Sequence, residues 1–211
     1  MVIGLAKSKA CDYVKEERTV FILSCLYSMF LRVSELVASE RWTPTMGDFY
    51  QDSDGYWWFK TVSKGNKTRQ VAVSDAMLAS LAHYRTQYLQ LTPYPELGEK
   101  TPLIGHVTNS NRPITSTRPL RRLVQTCFDN AVAELDIQGE HRQAENLQTA
   151  TVHWLRHTGI SEDVKTRPRE HVRDDAGHSS SAITDRYIGV ELKARAKSAK
   201  HKSMDNTEEI S

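Results

Sequence analysis

A chain of 211 residues, 39% hydrophobic and 26% charged, suits one domain of ordinary size and is long enough to bury a proper core. Its most apolar stretch, 20–31, is too short to span a bilayer, and no basic region followed by a cleavable apolar segment opens the chain. The three cysteines, at 11, 25 and 127, have neither paired nor metal-site spacing, which excludes a disulfide scaffold and leaves a soluble cytoplasmic protein with reduced thiols as the expectation.

The formal net charge of +2 says little, but its distribution says more. Basic residues gather at 64–69, 118–122, 165–173 and 193–202, and acids concentrate after 204. Such clustering suits a polyanionic partner, although any one cluster also reads as a solvated face.

In chain order, Val20, Leu23, Tyr27, Phe30 and Leu31 recur at helical spacing, so Glu17–Leu31 is expected to be an amphipathic or buried helix that delivers Arg32 to its end. Ser34 is placed to cap a further turn, and Glu35, three residues after Arg32, can hold its guanidinium. After Pro44 the pattern changes to strands at 47–51, 56–62 and 68–73. Asp54-Gly55 signals a two-residue hairpin and Lys64-Gly65-Asn66-Lys67 a second turn, so a three-stranded antiparallel meander follows. Trp57-Trp58-Phe59 reads as core and sheet face rather than a base-stacking platform.

Asp75–Leu91 is expected to be a helix with Met77, Leu81, Tyr84, Tyr88 and Leu91 on its core stripe, ended by Pro93 and Pro95. Thr101–Gly105 reads as a short buried segment, Ser116 or Thr117 as the cap of a helix over 119–135, and Gly139–Leu147 as a polar loop. Arg118, Arg121 and Arg122 oppose the dipole at that helix start, which favours a nearby anion.

Thr151-Val152-His153-Trp154-Leu155-Arg156-His157-Thr158 then opens a helix that sets His153 and Arg156 three positions apart on one face, with Trp154 and Leu155 turned to the core. A guanidinium is a permanent fork of donors for phosphate oxygens, and an imidazole beside it moves a proton near neutral pH, so the pair suits a phosphodiester. Pro168 breaks the helix, and Gly177 permits a sharp turn before His178. Ser179 or Ser180 can cap a short helix carrying Tyr187, nine positions after His178. Residues 190–202 are basic and Ala-rich enough to be helical, and the tail over 203–211 is expected to be disordered.

His153-x-x-Arg156-His157-Thr158, then Gly177-His178-Ser179-Ser180, then Tyr187, resembles the signature of the tyrosine recombinases, or phage integrases. Leu31-Arg32-Val33-Ser34-Glu35-Leu36 is similar to the family's L-R-x-S-E-L, with Phe30 where the family usually has Gly. Lys64 takes the matching position in a K-G-x-K-x-R hairpin, whereas the 165–169 linker is less apolar than the family's. The resemblance covers roughly residues 17–190. It implies a mixed α+β, mainly α catalytic domain over 1–202 with a small three-stranded antiparallel sheet, lacking the family's N-terminal DNA-clamping domain.

The resemblance further implies site-specific cleavage and rejoining of double-stranded DNA by a homo-oligomer, a tetramer on DNA, in the bacterial cytoplasm or nucleoid. It implies no metal, cofactor or ATP. Arg32 and Arg156 would contact the non-bridging oxygens of the scissile phosphate, His153 would take the Tyr187 proton, His178 would hydrogen-bond the phosphate and Lys64 would protonate the leaving 5′ oxygen. The product would be a 3′-phosphotyrosine. Three other readings compete. His153 and His157 have the i, i+4 spacing of a zinc helix but lack the adjacent Glu and an evident third ligand. The basic clusters would equally serve a non-catalytic DNA-binding module, and a type IB topoisomerase has a closely similar site.

Overall fold

Helix α1 (Tyr13–Ser28) is apolar nearly all round in its second half, with Phe21, Ile22, Leu23, Cys25 and Leu26 all buried. A helix with no polar stripe has to be enclosed. In the computed structural model, which describes residues 13–63 and 67–178, later helices close around it. α1 ends three residues earlier than the periodicity predicts, because Phe30 turns left-handed at φ 52°. Met29, Phe30 and Leu31 are buried beyond the helix end, and the Leu31 N–H closes back onto the Cys25 carbonyl at 3.3 Å.

The expected meander is present, with β1 (Phe49–Gln51), β2 (Trp57–Ser63) and β3 (Lys67–Ala72) pairing antiparallel in that order. Phe49 faces Phe59 and Phe59 faces Val71, and all three are buried, which sets the register by the core face. The first connection is not the two-residue hairpin that Asp54-Gly55 suggests. It spans 52–56, because the Asp52 carboxylate accepts from the Asp54 and Tyr56 N–H groups and from the Trp58 indole, building a wider loop closed by Gly55 at φ 88°. Gly47 and Asp48, expected in the strand, belong to a single 3₁₀ turn over Met46–Asp48.

The helix predicted over Asp75–Leu91 is α2 (Asp75–His83), capped by Ser74, followed by one wide turn over Tyr84–Leu89. Gln90, left-handed at φ 58°, stops it, and Leu91 is 40% exposed instead of joining the core stripe. The cause is Arg85, which is buried and holds the Glu99 carboxylate through both terminal nitrogens at 2.9 Å while donating to the Thr92 carbonyl. Leu103 and Ile104 are buried as expected, but the chain then pairs β4 (Gly105–His106) with β5 (Asn109–Pro113) as a second small sheet that the periodicity does not indicate.

Helix α3 (Arg118–Ile137) lies where predicted, with the Ser116 hydroxyl accepting the Arg118 N–H at 3.3 Å. The expected polar loop after it is helical. α4 (His141–Gln148) buries only Ala144 and Leu147 against α3, a stripe too sparse to register in a polar octet. Helices α5 (Val152–Asp163) and α6 (Arg169–Ala176) follow, separated where Pro168 precludes continuous helix. The two described cysteines, Cys25 and Cys127, are free thiols. Among the described residues no helix is long and apolar enough to cross a membrane.

Candidate functional site

The left-handed Phe30 accounts for the Gly that the resemblance would place there: the backbone adopts the conformation glycine takes without cost. Here a phenyl ring holds the turn instead, buried with Ile160, Val172 and Ala176 between the ends of α1, α5 and α6. Beyond it, Arg32 stands in extended conformation ahead of a 3₁₀ turn over Val33–Leu36. That turn is capped by Glu35, not by Ser34: the Glu35 carboxylate accepts the Arg32 backbone N–H at 2.7 Å and the Arg32 Nη1 at 3.3 Å. Glu35 is only 3% exposed, and Arg69 on β3 engages both its oxygens, Nη1 to Oε1 at 3.0 Å and Nη2 to Oε2 at 3.1 Å. A buried carboxylate needs this much compensation to stay charged.

On α5 the buried positions are Val152, Leu155, Arg156, Gly159 and Ile160, a regular helical stripe with one guanidinium in it. Trp154, expected in the core, falls off that stripe and is 40% exposed. Gly159 is where α5 meets α1: a Cβ there would lie 2.1 Å from the Tyr27 carbonyl oxygen. This close approach brings Arg156 against the turn after α1, so its Nη1 donates to the Phe30 carbonyl and its Nη2 to the Ala176 carbonyl at 2.6 Å.

Arg156 Nη2 also meets His178 Nε2 at 3.3 Å. A guanidinium only donates, so Nε2 is the acceptor and the imidazole proton sits on Nδ1. His178 is delivered by the left-handed Gly177 (φ 63°) that closes α6. Arg69 packs under this turn, and a Cβ on Gly177 would come 2.9 Å from Arg69 Cδ. Asp175 fastens α6 to the sheet, accepting the Ala72 N–H at 3.1 Å and Arg167 Nη2 at 2.6 Å. The less apolar linker is thus stabilised by ion pairs, Arg167 also reaching Asp163 at 2.7 Å.

Partial burial and the positive charges of Arg156, Arg32 and Arg69 push His178 down to about 4. His153 is lowered by burial and by Arg121, Arg156 and Arg32, and His157 by burial, His153 and Arg156. All three imidazoles are therefore biased toward the neutral form, and His153 remains exposed, able to accept a proton. Among the described residues no group of three His, Cys, Asp or Glu side chains is placed to hold a metal ion.

Of the six residues singled out from the sequence, Arg32, His153, Arg156 and His178 lie in one electrostatically coupled region, linked through Glu35 and Arg69. Lys64 and Tyr187 lie outside the described residues, as do the expected helix over 190–202 and the tail. Arg69, Asp175 and Gly159 were not indicated by residue pattern alone. Arg69 belongs to the K-G-x-K-x-R run, but a basic residue on a strand carries no signal of a partner 34 positions earlier.

No family model and no curated protein sequence matches the chain. Solved structures do. The chain is similar to XerA recombinase at 19% identity and TM-score 0.63, covering 96% of this chain and 62% of that one. It is similar to XerH site-specific recombinase bound to palindromic difH substrate at 15% identity and TM-score 0.60, covering 95% and 50%. The Tn1549 transposon integrase in complex with circular intermediate DNA matches at 16% identity and TM-score 0.53, covering 95% and 62%. The chain thus spans between half and 62% of these recombinases, and its described residues have the tyrosine recombinase catalytic fold.

Proposed function

We propose that the chain is the catalytic domain of a site-specific DNA recombinase that cleaves and rejoins strands through a 3′-phosphotyrosine. The observation that carries this reading is the packing of the Arg156 guanidinium against His178, beside Arg32, in a fold shared with recombinases. Two permanent cations and a neutral imidazole form a site that gains most from an anion, and a phosphodiester is the anion whose geometry suits guanidinium donors.

In the proposed reaction the Tyr187 oxygen attacks phosphorus and gives its proton to His153, whose lowered pKa keeps it unprotonated at neutral pH. Charge developing on the non-bridging oxygens is met by Arg32 and Arg156 and by a hydrogen bond from His178. The bond from phosphorus to the 5′ oxygen breaks, and Lys64 supplies the proton to that oxygen. A 5′ hydroxyl of another strand reverses the step, because the phosphodiester is conserved as a phosphotyrosine. Assembly of several copies on double-stranded DNA belongs to the same reading.

The test is a suicide substrate of nicked cognate DNA, scored for a covalent protein–DNA band. Tyr187→Phe keeps the ring and removes the attacking oxygen, so folding and DNA affinity are expected to survive while the adduct disappears. An adduct formed by the Phe variant, or mapped to Tyr84 or Tyr88, overturns the assignment. DNA binding without any adduct in the wild type would indicate a binding module, and relaxation of supercoils without strand exchange a topoisomerase.

A further inference from the structure

We propose that Arg69 is a positioning residue for Arg32: by occupying both oxygens of the buried Glu35 carboxylate, it keeps Glu35 from capturing the Arg32 guanidinium. This rests on the recombinase reading in one respect, that Arg32 is a ligand of the scissile phosphate. The geometry is asymmetric. Arg69 makes a full fork to Glu35 at 3.0 and 3.1 Å, whereas the Arg32 side chain touches it through Nη1 alone at 3.3 Å. The Arg69 side chain is 8% exposed and the Arg32 side chain 32%.

Arg69 is held in place from two sides. Its backbone pairs with Thr61 across β2 and β3, and its side chain fills the space under Gly177 that a Cβ would occupy. A carboxylate this buried requires a cation. With Arg69 removed, Glu35 would draw on the guanidinium already bonded to it, and the favourable geometry is the two-pronged one that Arg32 now lacks. Arg32 would then retract from His178 toward Glu35. The same fork therefore satisfies the carboxylate and leaves Arg32 available for the site.

The variant is Arg69→Met, which keeps the length of the side chain and removes its charge. Single-turnover cleavage of nicked DNA is expected to fall about 100-fold, as for an ångström-scale misplacement of a catalytic group, with DNA affinity reduced by no more than the loss of one phosphate contact. The double variant Glu35→Gln/Arg69→Met removes the anion that captures Arg32, and is expected to recover most of the lost rate. A merely structural Arg69 predicts a double variant no faster than the single, and that result overturns the proposal. Independently of activity, side-chain N–H exchange of Arg32, followed by NMR, is expected to slow in Arg69→Met. Unchanged exchange overturns the proposal even if wild-type protein cleaves no DNA, an outcome that would by itself sink only the recombinase reading. Should Arg69→Met not fold, Arg69→Lys decides: its ammonium meets one oxygen, so slower cleavage and slower Arg32 exchange support the assignment, and wild-type values for both refute it.

Discussion

Arg156 does two jobs that a substitution can separate. Besides facing His178, its guanidinium donates to the Phe30 and Ala176 carbonyls, tying the left-handed turn after α1 to the end of α6 from a site only 6% exposed. In Arg156→Lys the charge remains, but a single ammonium on a flexible stem cannot span both carbonyls and the imidazole in one plane. At least one buried carbonyl then loses its donor, at about 1–3 kcal/mol, and a charge-assisted bond of similar size weakens with it. The expected loss of folding stability is about 2–4 kcal/mol, a large part of the 5–15 kcal/mol typical of a domain. Urea denaturation followed by circular dichroism reads it as a lower midpoint with an unchanged slope. Cleavage should slow as well, but the two effects part on addition of DNA, which restores the midpoint by mass action without restoring the rate. A stability change below about 0.5 kcal/mol, the size of an ordinary surface substitution, would refute the bracing role and leave Arg156 a purely phosphate-facing group.

Three further outcomes follow from the packing. Gly159→Ala puts a methyl 2.1 Å from the Tyr27 carbonyl oxygen, so α5 must shift away from α1, and a loss of about 1–3 kcal/mol in urea is expected, of the size that overpacking produces. Phe30→Gly relieves a left-handed backbone worth about 1–2 kcal/mol but empties a ring site worth about 3–5 kcal/mol, so a net loss of roughly 2 kcal/mol is expected and a stabilised variant would contradict the role of the ring. His178, held near 4 against an ordinary 6.5, binds fewer protons folded than unfolded across that window, so its contribution to stability is present above about 6.5 and is lost as pH falls toward 4. NMR titration of its ring should show a neutral imidazole at pH 6 in the free protein and an upward shift when a DNA phosphate offsets the guanidinium charges; a free-protein midpoint near 6.5 would show that the arginines do not act on it.

Periodicity and turn chemistry suffice for α1, the meander, α3 and the break at Pro168, because each is dictated by local pattern: apolar spacing, Gly in a turn, a missing N–H. Pattern fails where a distant side chain imposes the backbone. The end of the helix predicted to Leu91 is set by Arg85 gripping Glu99, and the loop at 52–56 by one Asp52 carboxylate serving three donors. α4 is not legible in the pattern because two buried residues in eight give no stripe.

Residue type and spacing are enough to say which groups are available for chemistry. His153, Arg156 and His178 stand at motif spacing, and Arg32 stands beside Glu35, because these are relations of residue type and separation along one chain. How those groups are held is a property of the folded molecule: Arg156 turned inward as a brace, Arg69 reaching Glu35 from 34 residues away, Asp175 bolting α6 to β3, and Phe30 taking with a buried ring the turn that glycine takes with no side chain. Charge compensation and close helix approach depend on distances in space, which folding alone creates. Neither burial nor the partner of a buried charge is written in the spacing of a sequence.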